Sequence, residues 1–293
     1  MDVETNKGTL YLVSTPIGNM EDITLRALRV LKEVDLIAAE DTRHTRKLLT
    51  RHDIDTPMVA YHQHSEAGRI NELIQRLLRG ESIAVVTDAG TPGISDPGCD
   101  FVIAALEAGI EIAPVPGACA AITALISSGA PTARFAFEGF LPRARSSRKV
   151  KLESLAKSET RTLIFYEAGN RTLHTLKEMA AAFGSLRYCC VGRELTKKFE
   201  EFQRGSFKNV MEYYSANDIK GEVTIIVAGI GKDEEANSIC GSQPELSIED
   251  ALKKELSQGA SDRDAVKNVC RLLQVSRRQV YQCMLDIKTE RDR

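Results

Sequence analysis

The sequence has no GxGxxG after its first apolar run and no GxxxxGK[ST], which argues against a nicotinamide-dinucleotide enzyme and a P-loop nucleotidase. Charge of one sign is not in excess: 39 Lys and Arg face 41 Asp and Glu, a net of −2. Such a balance gives no chain-wide attraction to nucleic acid or anionic membrane, so any such binding must be local. A membrane span is missing as well. The longest uncharged stretch, Ile112 to Ala133, is broken by Pro114, Pro116, Gly117, Gly129 and Pro131, which suits a strand, a turn and a buried helix. Met1-Asp2-Val3-Glu4 lacks the basic start and apolar run of a signal peptide. The seven cysteines, at 99, 119, 189, 190, 240, 270 and 283, form no CxxC or other metal-ligand spacing. Free thiols in a reducing cytoplasm and no bound metal are the expectation. His62 and His64, two apart, offer half a metal site at most.

What is present is enough for about two domains: 293 residues, 43% apolar, against the ~150 of a typical domain. From Thr9 to Ser127, apolar runs alternate with helix-length amphipathic stretches. Strands are expected at Thr9–Val13, Leu36–Ala39, Met58–Tyr61, Ile83–Thr87 and Ile112–Val115, each followed by a helix. Five βα units imply a mainly parallel sheet covered by helices. A second α/β region is expected from Phe135 to about Gly229, with strands at Phe135–Phe137, Thr162–Phe165, Tyr188–Val191 and Val223–Ala228. Helices are expected there at Leu173–Phe183 and Val210–Tyr214. The domains are therefore drawn at 1–130, 131–230 and 245–293, with a polar linker from Gly231 to Pro244. In the tail, Ala265, Val266, Val269, Leu272 and Leu273 share one face. A turn at Gln274-Val275-Ser276 then leads to Val280, Tyr281 and Leu285, giving a small helix-turn-helix with Arg277 and Arg278 opening its second helix. Ten basic residues against nine acidic ones from Gln243 onward make that tail a poor nucleic-acid binder by charge alone.

Ligands of open α/β sheets sit at the carboxyl ends of the strands. There the first strand runs into Thr15-Pro16-Ile17-Gly18 and the fourth into the eleven residues Asp88 to Gly98, with three glycines and two prolines. A plain βα connection needs three or four residues; this loop is rigid and lets backbone approach a ligand. After the second strand, Glu40, Asp41 and Arg43 place two carboxylates and a guanidinium at the same edge. They suit proton transfer or alkoxide stabilisation, and equally a helix N-cap with a solvated partner. The densest cationic stretch is Arg143, Arg145, Arg148, Lys149 and Lys151, five basic residues in nine with no acid. It is the local patch that any binding to nucleic acid or an anionic surface would use.

Eight blocks in order carry a resemblance. They are Val13–Asn19, Ala39–Arg43, Asp88–Pro92 with Ser95–Gly98, Pro116-Gly117 with Cys119–Thr123, Glu138–Pro142, Phe165–Glu167, Arg193–Lys197 and Lys220–Glu222. In them the chain resembles the bacterial small-subunit ribosomal RNA 2′-O-ribose cytidine methyltransferases, of the tetrapyrrole-methylase superfamily. The family usually has Pro-Gly-Pro where this chain has Pro116-Gly117-Ala118. The resemblance implies a two-domain α/β fold of the class III methyltransferase kind, S-adenosylmethionine as cofactor in the cleft, a homodimer, and methylation of a cytidine 2′-hydroxyl in small-subunit (16S) ribosomal RNA within the assembled subunit. It further implies that Pro16, Ala89, Gly90, Thr91, Ile94, Cys119 and Ala120 line the cofactor cleft, with Tyr166 and Glu167 closing it from the second domain. Two rivals stay open at this level: a methyltransferase for a tetrapyrrole or other small molecule, and a noncatalytic nucleic-acid-binding regulator.

Overall fold

A computed structural model describes residues 7–62, 67–217, 219–229 and 248–257, together with 261, 264–266, 268, 269, 280, 281 and 283. The alternating segments of the first 130 residues form one sheet. β1 (Thr9–Val13), β2 (Leu36–Ala39), β3 (Met58–Ala60), β4 (Ile83–Val86) and β5 (Glu111–Val115) lie in the order β3-β2-β4-β1-β5, all pairs parallel. β2 and β4 are buried at every residue, as expected of apolar strands with helices on both faces. Alternation sends Leu36, Ala38 and Val85 to one face, against Leu73 and Leu77 of α3 (Ala67–Leu78) and Phe101 of α4 (Cys99–Glu107). Ile37, Ala39, Ala84 and Val86 turn to the other, against Val30 and Leu31 of α1 (Leu25–Glu33) and Leu49 of α2 (Thr42–Arg51). Thr24 starts α1 by accepting from the Ala27 N–H at 3.0 Å, a cap worth about 1 kcal/mol.

The second sheet has the order β6-β7-β10-β8-β9, from β6 (Phe135–Phe140), β7 (Thr162–Ala168), β8 (Tyr188–Arg193), β9 (Glu201–Ser206) and β10 (Glu222–Val227). Only β6 and β7 pair in parallel; the other neighbours are antiparallel. One face, with Phe165, Val191 and Ile225, packs under Leu152 of α6 (Arg145–Ser158), Leu176 of α7 (Gly169–Phe183) and Phe207 of α8 (Phe207–Ser215). The opposite face, with Ile164, Cys190 and Ile226, receives Ala121, Ala124 and Leu125 of α5 (Ala120–Ser128). α5 thus follows the first sheet in sequence but buries its apolar face on the second. The uncharged stretch from 112 to 133 is β5, a Pro-Gly turn and this helix.

Two elements differ from expectation. β9 was not anticipated, because Glu201–Ser206 is a polar edge strand with no fully buried residue. The basic segment, assigned no element from the sequence, forms the first turns of α6 from Arg145 onward.

The chain divides into two compact units, Met1–Ile239 and Cys240–Arg293. In the second, the helix Ile248–Ser257 places Ala251 and Leu252 in a small core with Ala265, Val266, Val269 and Val280. The expected linker from Gly231 to Pro244, the turn at Gln274–Ser276, and Leu272, Leu273, Arg277, Arg278 and Leu285 lie outside the described residues. No helix among the described residues is long and apolar enough to cross a membrane.

Candidate active site

The carboxyl ends of β1 and β4 open into a cavity of about 570 Å³, within the range of small-molecule sites. One wall is made by the loops after those strands, through Thr15–Gly18, Thr87–Thr91 and Ile94–Asp96, with Cys119 and Ala120 at the start of α5. The facing wall comes from the second sheet: Tyr166 of β7, Gly192 of β8, and Glu222, Val223 and Thr224 of β10. The β8–β9 connection adds Glu194, Leu195 and Lys197. Of the cofactor residues named from the sequence, Pro16, Ala89, Gly90, Thr91, Ile94, Cys119, Ala120 and Tyr166 all border this cavity.

The loops are fixed by their own hydrogen bonds. The Thr15 N–H donates to the Gly90 carbonyl at 2.9 Å and the Gly90 N–H to the Thr15 carbonyl at 3.2 Å. Gly90 therefore borders the cavity at φ +94° with its N–H and carbonyl both bonded to Thr15. Thr91 Oγ1 reaches the Ala118 carbonyl and Ser14 Oγ, each at 3.1 Å, tying the loop after β4 to those after β5 and β1. Four non-glycine residues among those described have positive φ, and two line this cleft, Ser95 and Glu194, with Thr196 in the same connection as Glu194. Each left-handed residue costs about 1 kcal/mol or more and persists where surrounding structure dictates it, a pattern typical of functional sites.

Tyr166 and Glu167 part company. Tyr166 faces the cavity, its hydroxyl accepting from the Ala121 N–H at 3.1 Å and its ring edge-on to Phe137 and Phe140. Burial pushes its phenol far up, so it stays protonated at neutral pH. Glu167 is adjacent in β7, so it points to the opposite face. It is 1% exposed and accepts from Thr175 Oγ1 at 2.7 Å and Arg171 Nε at 2.8 Å of α7. Glu167 is structural here and does not close the cleft.

Four carboxylates line the cavity: Asp88, Asp96, Glu194, which pairs with Lys197, and Glu222. Burial raises Asp96 to about 6; the charges of Glu40, Glu222 and Asp88 add to this, and a hydrogen bond from Thr87 opposes it. The loop's glycines and prolines drew the sequence reading, and this carboxylate within it was missed. Glu40 does not border the cavity but backs it, accepting from the Asp88 N–H at 3.3 Å. Burial raises its carboxyl too, opposed by that N–H. Asp41 is the N-cap of α2, accepting from the Arg43 N–H at 2.8 Å and from Arg43 Nη2 at 2.9 Å. Its bonds to Arg43 hold it down at about 2, while the Arg43 side chain is 90% exposed. The helix-cap reading accounts for the side-chain contacts of Asp41 and Arg43, while the Asp41 N–H donates to Asp88 Oδ1 at 3.0 Å, and α2 instead turns His44, Thr45 and Leu48 to the cavity.

The basic segment is also split. Arg148 is 7% exposed and bonded to Glu178 and to the carbonyls of Pro142 and Arg143. Lys151 pairs with Glu138 at 2.6 Å. Arg148 therefore braces α6 against α7 and is not available to RNA, contrary to expectation. Arg143 is exposed; Arg145 and Lys149 have side chains 87% and 73% exposed.

The family model for tetrapyrrole (corrin/porphyrin) methylases matches residues 9–210. The chain is 46% identical over 283 residues to ribosomal RNA small subunit methyltransferase I of Synechocystis sp., covering 97% of this chain and 99% of that one. It is 45% identical to the protein of that name from Halalkalibacterium halodurans over 94% of both chains, and 49% identical to that from Haemophilus influenzae over 79% and 82%. Among solved structures it is similar to uroporphyrin-III-C-methyltransferase from Thermus thermophilus, with TM-score 0.53, 21% identity, and coverage of 76% of this chain and 94% of that one. A diphthine synthase structure gives TM-score 0.57 at 14% identity, covering 75% and 90%. Those structures share the two-sheet fold, and the likeness in sequence runs nearly end to end: the chain belongs to the tetrapyrrole methylase family, on its ribosomal RNA small subunit methyltransferase I branch.

Proposed function

We propose that this chain transfers the methyl group of S-adenosylmethionine to the 2′-hydroxyl of a cytidine ribose in small-subunit ribosomal RNA. The observation that carries the reading is the character of the cavity, walled by both sheets and lined by four carboxylates against a single lysine, Lys197, which pairs with one of them, Glu194. That donor set suits a ligand with a sulfonium and an ammonium. Pro16, Ile17, Ala89 and Ile94 give it an apolar shelf. At the N-terminus of α5 the N-cap Cys119 supplies no side-chain acceptor; the Tyr166 hydroxyl takes the Ala121 N–H, and the rest of that helix end suits a carboxylate. When bound, the cofactor supplies a methyl carbon activated by its positive sulfur.

The protein's own part is alignment and proton removal. A ribose hydroxyl is a poor acid. Asp96, held near 6, is ionised at neutral pH yet more basic than an ordinary aspartate, so it takes that proton as the oxygen bonds to carbon. Glu40 keeps Asp96 basic from behind, and Tyr166 and Thr224 shape the facing wall. Arg143, Arg145 and Lys149 are the cations of α6 and its approach that meet RNA phosphates.

A chain of net charge −2 holds free RNA weakly, so the assembled subunit is the substrate and its shape aids recognition. A second copy of the chain covers Ile103 and Leu106 of α4 and Ile122 and Ile126 of α5, apolar side chains 43–70% exposed. The test is to incubate the protein with tritiated methyl donor and unmethylated small subunits, free ribosomal RNA or a small-molecule extract. Label in a cytidine ribose of the subunit, from a protein sedimenting as a dimer, is the expected result. Label in small molecules alone, or none, defeats the reading.

A further inference from the structure

The β8–β9 connection, Glu194–Glu200, runs out of the cavity wall into solvent. Glu194, Leu195 and Lys197 line the cavity, and Phe199, two residues beyond, is 69% exposed. The connection is held by two successive turns. The Lys197 N–H donates to the Glu194 carbonyl at 3.0 Å and the Glu200 N–H to the Lys197 carbonyl at 3.1 Å. The Glu200 carboxylate accepts from the Thr196 N–H at 2.7 Å. Glu194 and Thr196 have φ of 51° and 64°, which only a firmly determined backbone sustains in such residues.

The connection is also anchored to the opposite wall. Thr196 Oγ1 accepts from the Asn19 N–H at 3.0 Å. A Cβ on Gly18 would lie 2.6 Å from Lys197 Cγ and 2.9 Å from the Leu195 carbonyl, so the two segments are pressed together. Leu195 is 7% exposed, packed with Ile226 and Cys190 of the second sheet.

A lone exposed apolar residue is ordinary on any protein surface. Phe199 differs in standing on a tip fixed to both walls, beside the cavity, with Lys198 Nζ 5.6 Å from its ring centroid. Two other charges of the tip are already engaged: Lys197 pairs with Glu194 at 3.1 Å, and Glu200 caps the Thr196 N–H. A rigid ring with a cation beside it is what a single-stranded nucleic acid meets on a stacking surface, where every base offers a π-face and the cation meets the phosphate.

We propose that Phe199 is a stacking platform for an unpaired RNA base neighbouring the nucleotide that enters the cavity, with Lys198 on the adjoining phosphate. The proposal rests on the reading of the chain as an RNA methyltransferase, and it adds a contact that the basic segment of α6 does not provide. Stacking of this kind is indifferent to base identity, so Phe199 contributes hold and alignment rather than sequence choice.

The chain has no tryptophan, so F199W places a lone indole at the tip. The full chain carrying F199W, saturated with S-adenosylhomocysteine, is titrated with a ten-nucleotide single-stranded RNA while binding is followed independently by filter retention. Saturable quenching of the indole is expected. F199A is expected to weaken that binding about tenfold and to raise KM for unmethylated small subunits, with S-adenosylhomocysteine affinity within twofold of the parent chain. Unchanged emission where filter retention reports bound RNA overturns the proposal, as does wild-type RNA affinity in F199A. A change in sedimenting mass of F199A without loss of RNA affinity also overturns it, and assigns the ring to contact between copies. Label transfer by the parent chain checks the underlying reading separately. If no RNA is labelled, that reading and the platform fall together; if RNA is labelled equally well by F199A, only the platform falls.

Discussion

The two walls of the cleft are built by different rules. The first sheet is wholly parallel, and it contributes through the loops beyond its strand ends, where Thr15–Gly18 and Asp88–Asp96 lie. The second is mixed, and it contributes mainly through the face of its strands, with Tyr166, Gly192 and Thr224. A loop wall announces itself in sequence by glycine, proline and unusual length. A face wall uses the ordinary alternation of a strand, and neighbouring residues go to opposite sides. Tyr166 and Glu167 are the clearest instance: one is at the cavity, the other is sealed under α7.

The largest effect expected from that contrast is at Glu167. Removing a carboxylate that satisfies Thr175 and Arg171 in the interior costs about 3 kcal/mol. Glu167→Ala should therefore lower the melting temperature clearly while the surviving folded protein binds S-adenosylmethionine as before. Calorimetry showing lost cofactor affinity at unchanged stability would return Glu167 to the cleft.

Asp96 is the loop-wall counterpart. Asp96→Asn should slow methyl transfer about a hundredfold, the lower end for loss of a general base, with cofactor affinity retained. The parent rate should climb as pH rises through about 6 and that rise should vanish in the variant. Stability runs the other way. Because burial raises this carboxyl, its neutral form is favoured in the fold; the stability it contributes is full below its ordinary range near 3.8 and is lost as pH rises through about 6. The variant should then melt higher than the parent at pH 8 and nearly alike at pH 3. Glu40, Glu222 and Asp88 surround the group, so a rise displaced but not abolished would hand the proton to one of them.

Gly90→Val tests the loop wall by shape. A branched residue at φ +94° is strained although its Cβ would meet Ile17 Cγ2 at an ordinary 3.4 Å. About a tenfold loss of cofactor affinity in a folded variant, ~1.4 kcal/mol, is expected. Unchanged binding would mean that the wall tolerates a different path.

The smallest effect concerns α6. Arg145→Ala with Lys149→Ala should reduce the slope of log affinity for RNA against log salt by about 1.4 to 1.8, each phosphate contact adding 0.7 to 0.9. Arg148→Ala should instead lower stability with little change in slope, since Glu178 holds that guanidinium. Equal slope changes from all three would contradict the division between exposed and inward cations.

Much of the architecture was legible because apolar runs and their periods were strong. β1 and β2 match their expected bounds, and β3, β4 and β5 do so within a residue. β9 was invisible because Glu201–Ser206 carries charge and glycine rather than an apolar alternation. The helix at Arg145–Ser158 was hidden by its charge: Arg148 and Leu152 face inward, but the guanidinium is buried only because Glu178, thirty residues away, meets it. The site followed the same line. Pro16, Ala89, Gly90 and Thr91 were marked by loop composition and by the family blocks. Asp96 needed the fold, since its basicity comes first from burial and then from the charges of Glu40 and Glu222 on other elements.

The account's central claim is that one cofactor molecule touches both walls at once. A crystal structure with S-adenosylhomocysteine tests it most directly. The ligand is predicted between the loop at Gly90–Asp96 and the strand face at Tyr166 and Thr224, with its sulfur open to the side from which Asp96 reaches a ribose hydroxyl. A ligand bound outside the 570 Å³ cavity, or one held by the first sheet alone, would contradict it.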